Sequence, residues 1–157
     1  MRKIGQPATY VIMVSQRFPL GHIREGQPTG FEEKILSGEK LHTIRANTSI
    51  WKKRVAKVQK GKAVIELRRW EGKPYRSGQT LIKRLTQDDG VGFQEVLLSR
   101  NVEGMTARVL EDKAARNISL YTLAKNDGLD TSSFISWFSH YDLSQPLGII
   151  HFTSKRY

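Results

Sequence analysis

Apolar positions along this chain alternate with polar ones in some stretches and recur at helical spacing in others, and the changeovers divide it into short strands and helices. Ala8 to Ser15 is dense in β-formers and predicts an opening strand. Thr29 and Glu32 have capping-box spacing, Phe31 and Ile35 then supply an apolar stripe, and Gly38 ends the helix they predict. A short strand follows around HTIR, residues 42–45. Asn47 to Ser49 then offer caps for a second helix, in which Trp51, Val55 and Val58 share one face among lysines until Gly61.

Strand signals fill the middle. Ala63 to Trp70 alternates after its first residues, GKP at Gly72 to Pro74 makes a turn, and a second strand near Gln79 to Thr86 is closed by DDG at Asp88 to Gly90. Phe93 to Leu98 and Met105 to Leu110 predict further strands. Asn117 or Ser119 caps a helix running to about Lys125, and Asp130 caps another. In that last helix Phe134, Trp137, Phe138 and Tyr141 recur at helical spacing, and the first three are expected to be buried. Leu147 to Thr153 reads as a closing strand. Short strands with helices at both ends predict an α+β fold, a small β-barrel with peripheral helices, as one domain over all 157 residues.

Charge changes this picture. Between Arg45 and Leu85 there are thirteen Lys or Arg against two acids, Glu66 and Glu71, so this segment carries the whole net charge of +11. Charge runs are usually solvated faces, but an excess this concentrated fits an extended polyanion such as RNA or single-stranded nucleic acid. Lys52, Lys53 and Lys57 on the basic helix, with Arg68, Arg69, Trp70, Lys73, Tyr75 and Arg76 around the GKP turn, are the candidate contacts. Trp51 lies on the apolar stripe and reads as core. Trp70 and Tyr75 flank a tight turn, where aromatics among cations either stack on bases or pack a hairpin. Arg68 and Arg69 point to opposite strand faces.

Composition removes several classes. With no cysteine, disulfides, thiolate catalysis and cysteine-bound zinc are excluded. His22, His42, His140 and His151 show none of the short spacings of a metal site, and no cofactor is implied. The longest apolar runs, such as YVIMV at Tyr10 to Val14, are too short to span a membrane. Met-Arg-Lys, followed by Gly5, Gln6 and Pro7, lacks the apolar core of a signal peptide, so a cytoplasmic location is expected.

The densest candidate chemistry is GEKLHTIR, Gly38 to Arg45. Strand alternation sends Leu41, Thr43 and Arg45 to one face and His42 and Ile44 to the other, with Lys40 at the strand's start. A threonine hydroxyl attacks only when a base takes its proton, and a lysine is such a base only when burial or nearby cations lower its pKa. On spacing alone the simpler account is a β-forming Thr43 beside a solvated Lys40. Opposite facing makes His42 a poor base for Thr43.

QRF at Gln16 to Phe18, a helix ending at a glycine, and K-x-x-T-I-R at Lys40 to Arg45 together resemble the ASCH family of PUA-like domains, and within it the small bacterial amidohydrolases that deacetylate N4-acetylcytidine. The resemblance covers the chain well through Arg45 and loosely beyond. It implies a small mixed PUA-like barrel, a catalytic lysine and threonine, and a late glutamate just before a helix. Asn126 to Phe138 looks like that late segment, with Asp127, one methylene shorter, in the glutamate's place. If the chain hydrolyses such an amide, Thr43 is the nucleophile, Lys40 its base, Asp127 orients the lysine or a water, and Arg45 stabilises the developing oxyanion. The chain departs from the family by inserting Pro19 to Gly30, a lid, a rim or a plain surface excursion, and by its basic middle. Two other classes fit the same residues: a non-catalytic RNA-binding module that holds a modified nucleoside, and a DNA-binding accessory protein.

Overall fold

The computed structural model describes residues 5–157; the amino-terminal residues 1–4, part of the stretch compared above with a signal peptide, lie outside them. The chain runs β1 (Ala8–Met13), α1 (Phe31–Ser37), β2 (His42–Arg45), α2 (Thr48–Gln59), β3 (Ala63–Trp70) and β4 (Gln79–Leu85). After a 3-10 turn at Gln87–Asp89 come β5 (Gly92–Asn101), β6 (Gly104–Glu111), β7 (Ala114–Ile118), α3 (Leu120–Asn126), α4 (Thr131–Phe138) and β8 (Leu147–His151).

The fold is α+β, with its strands in two sheets of order β1-β3-β4 and β2-β8-β5-β6-β7. β1 and β3 are parallel, a pairing that needs a crossover, here supplied by α1, β2 and α2. α2 turns Trp51, Val55 and Val58 inward and packs against β3 of one sheet and β5 and β8 of the other, so the two share one core. β8 is buried at every position because both its faces are covered.

The described strands do not close into the expected barrel. β1 and β2 are edge strands of different sheets, and no ladder joins them; instead the Arg45 guanidinium reaches across and donates to the Met13 carbonyl at 3.0 Å. That unzipped seam is where the candidate site lies.

Three local expectations are corrected. Gly30, in the left-handed region at φ 70°, is the α1 N-cap, and no capping box forms. The Thr29 hydroxyl instead donates to the Ser15 carbonyl at 2.7 Å, tying α1 to the end of β1. Asn117 is not a helix cap but part of β7, a strand missed because AARNI carries little apolar signal; it pairs along β6 with its residues mostly exposed, and Ser119 caps α3. Phe134 and Phe138 are fully buried, but Trp137 is only half-buried. A helix face this aromatic covers more than one surface, and Trp137 lies against Phe18, His22 and Phe31 at its margin. Among the described residues no helix is long and apolar enough to cross a membrane.

Candidate functional site

Two turns deliver the central pair. α1 stops at Gly38 in the left-handed region, after which the Lys40 N–H donates to the Lys34 carbonyl at 2.9 Å and the Leu41 N–H to the Asn126 carbonyl at 2.7 Å. α3 ends at Asp127, its C-cap, because Gly128 turns the chain at φ +82°; a Cβ there would lie 3.3 Å from that of Lys40 and 3.4 Å from the Phe31 ring. The start of β2 is thereby stitched to the end of α3.

The Lys40 amine donates to the Asp127 carboxylate at 3.0 Å and to the Asp127 carbonyl at 2.6 Å, and lies 4.2 Å from the centre of the Phe31 ring. Burial pulls the amine below the ordinary lysine value, the Asp127 charge opposes that, and Arg45 and Lys34 add to the lowering. Burial pushes the Asp127 carboxyl up, but the Lys40 charge and His42 outweigh it and hold the group below the usual carboxylate value.

Strand alternation places Thr43 and Arg45 with Lys40 and Asp127 around one pocket of about 180 Å³, walled by Phe31, Trp137, Phe138 and Tyr141. Among the described residues the Thr43 hydroxyl makes no hydrogen bond, so it is free to meet a ligand. The sequence motif led to the expectation that the Lys40 amine reaches this hydroxyl. It is directed at Asp127 instead, since a carboxylate binds an ammonium more strongly than a neutral hydroxyl does. Arg45 has no acid within ion-pair distance among the described residues, and its Nε is buried without a partner. Burial lowers its pKa, with Tyr141 and Asp127 opposing.

Behind the pocket, on the opposite strand face, His42 is almost wholly buried. Its Nδ1 lies 3.3 Å from the Asp127 carboxylate and its Nε2 accepts from the Tyr157 hydroxyl at 2.5 Å, while the Asn126 amide donates to that hydroxyl at 3.0 Å. Burial lowers the His42 pKa, with Asp127 opposing, and burial raises that of Tyr157. Asp127 is therefore held from two sides. Sequence reasoning placed Asp127 but missed His42 and Tyr157 as its support, and it read Phe31 as plain core. The adjacency of His42 to Thr43 was the only available sign; nothing in the sequence pointed to Tyr157.

The basic candidates divide. Lys52, Lys53 and Lys57 are exposed on α2, and Lys73, Tyr75 and Arg76 are exposed at the β3–β4 turn. Trp70 is half-buried with its ring 5.1 Å from that of Tyr75. Arg69 pairs with Glu32 at 2.8 Å and Arg68 with Glu66 at 2.5 Å, so these two are already neutralised by internal acids. The inserted segment is folded: His22 donates through Nε2 to the Ser133 carbonyl at 2.8 Å and stacks on Phe18 at 4.5 Å, and Pro28 and Thr29 rim a second cavity beside the first.

No family model matches this chain, and no curated protein or solved structure matches it.

Proposed function

We propose that this chain is an ASCH-type, PUA-like cytoplasmic domain that takes a nucleobase into the pocket between β2 and α4 and hydrolyses the amide of an N4-acylated cytidine. The observation that carries this reading is the convergence of four groups on one aromatic-walled pocket: the Thr43 hydroxyl, the Arg45 guanidinium, which has no acid partner among the described residues, and the buried Lys40–Asp127 pair. Aromatic walls suit a planar base. A guanidinium with no acid in ion-pair contact among the described residues suits an oxygen that gains charge during reaction. Two sheets packed on one shared core support the PUA-like assignment, while the open β1–β2 seam departs from its barrel.

In this mechanism the Thr43 oxygen attacks the acyl carbonyl while its proton passes to the Lys40 amine, which acts in its neutral form; burial favours that form and the Asp127 charge opposes it. Arg45 holds the tetrahedral oxyanion. Collapse breaks the carbon–nitrogen bond, the exocyclic nitrogen of cytosine leaves with the proton held by Lys40, and an acyl-Thr43 ester remains. Water then hydrolyses the ester, Lys40 again taking and returning the proton, to release acetate. Asp127 keeps the amine in place through the cycle.

A second reading is a binding module without turnover, favoured by the direction of the Lys40 amine, toward Asp127 and not Thr43. Incubation with N4-acetylcytidine separates the two, because only the enzyme yields cytidine and acetate.

A further inference from the structure

We propose that the base bound in this pocket belongs to a single-stranded polynucleotide, and that a neighbouring base of the same strand stacks on Trp70 and Tyr75 at the far end of a trough leading to Thr43. This rests on the nucleobase reading above and extends it from a nucleoside to a strand.

The trough is built around the segment that follows β1. Three cavities, of about 180, 260 and 340 Å³, share Val14 and Ser15 as a wall. The innermost, holding Thr43, meets the middle one at Phe31, and the middle one meets the outermost along Gln16 and Arg17. The outermost ends at Trp70, Gly72 and Pro74. At about 180 Å³ the innermost pocket is well below the roughly 300–1,000 Å³ of a drug-sized site, so it takes one planar group, and a larger ligand must lie along the trough.

The outer end carries a feature that core packing does not explain. Tyr75 is 90% exposed and sits in the left-handed region at φ 64°, a conformation unfavourable for a bulky residue. Strain kept on an exposed aromatic points to a ligand rather than to stability. Tyr75 and Trp70 together form an open aromatic edge beside Lys73 and Arg76, neither of which is ion-paired to a described residue. Exposed aromatics flanked by unpaired cations are the arrangement that binds single strands, rings to bases and cations to phosphates. In the middle cavity Arg69 neutralises Glu32, but Glu33 stays exposed, so base edges rather than phosphates face Glu33, while exposed Arg17 lines both the middle and the outermost cavity. A duplex keeps its bases paired and cannot enter.

The test is the affinity of a short fluorescent oligonucleotide, as single-stranded RNA, single-stranded DNA and duplex, for the wild type and for Tyr75→Ala, Trp70→Ala, Trp70→Phe and Tyr121→Ala. Tyr75→Ala and Trp70→Ala should each weaken single-strand binding about five- to a hundredfold, as loss of one base stack does, without changing its salt slope. Trp70→Phe should retain most of the affinity, and Tyr121→Ala, an exposed tyrosine on α3, should bind like the wild type. Wild-type affinity in both alanine variants, or a duplex bound as tightly as a single strand, would overturn the proposal. Hydrolysis is not needed for this assay. A protein inert on N4-acetylcytidine that shows this pattern keeps the strand proposal and loses the hydrolase reading, whereas the opposite result restricts the enzyme to nucleosides.

Discussion

The Lys40 amine and the Asp127 carboxylate meet at 3.0 Å, 4% and 7% exposed, although 87 positions separate them in the chain. A buried pair of this kind gives little net stability while both partners are present, but removing one leaves an uncompensated buried charge. Asp127→Ala should therefore cost about 3–5 kcal/mol, read as a lower denaturation midpoint. Lys40→Ala should also destabilise the fold, because it strips Asp127 of its main partner. An Asp127→Ala protein as stable as the wild type would show that the pair is not formed.

Stability should fall as pH is lowered from neutrality. Burial, with the charges of His42 and Arg156, lowers the His151 pKa from 6.5 to about 3, and burial lowers that of His42 as well. Below 6.5 the unfolded chain binds protons that the folded one refuses, so folding weakens as long as each histidine stays neutral in the fold, for His151 down to about 3. The Asp127 contribution has its own window: it is present above the ordinary value of 3.8 and lost as pH falls through the lower folded value. Denaturant titrations from pH 7 to pH 4 should show the histidine slope. In His151→Gln it should be shallower, and a flat wild-type profile would contradict the account.

Phe134 and Trp137 separate core from pocket on one helix. Phe134→Ala should cost about 3–5 kcal/mol as a fully buried aromatic. Trp137→Ala should cost clearly less and act instead on ligand binding, since Trp137 walls the pocket. Equal losses of stability would place Trp137 in the core after all.

The α2 lysines, which line none of the three trough cavities, should add to salt dependence through their charge. Replacing exposed Lys52, Lys53 and Lys57 with glutamate should weaken oligonucleotide binding and flatten its dependence on salt, with the thermal midpoint nearly unchanged. Undiminished, salt-insensitive binding would remove this helix from the interface.

Much of this arrangement was legible in the residues. The apolar stripe of Trp51, Val55 and Val58, the alternation in Ala63–Trp70, and the glycine stop at Gly38 each express a local rule, and the structure follows them. Alternation also placed Thr43 and Arg45 on one face with His42 on the other. What sequence could not show was set by tertiary packing. The β1–β2 seam stays open although both segments read as good strands, because pairing depends on where α1 and β8 take the chain. Arg68 and Arg69 read as free cations, but their acids arrive from strand geometry and from α1. Tyr157 reaches His42 from 115 positions away, with no local pattern to announce it.

Incubation of the wild type and Thr43→Ala with N4-acetylcytidine, followed by separation of the products, tests the central assignment most directly. Thr43 makes no hydrogen bond to a described residue, so its alanine variant should fold like the wild type, and any loss of turnover then belongs to chemistry. Cytidine and acetate are expected from the wild type, none above background from Thr43→Ala, residual activity from Thr43→Ser, and matching thermal midpoints for all three. A wild type that leaves N4-acetylcytidine intact, or a Thr43→Ala variant that deacetylates it at the wild-type rate, would contradict it.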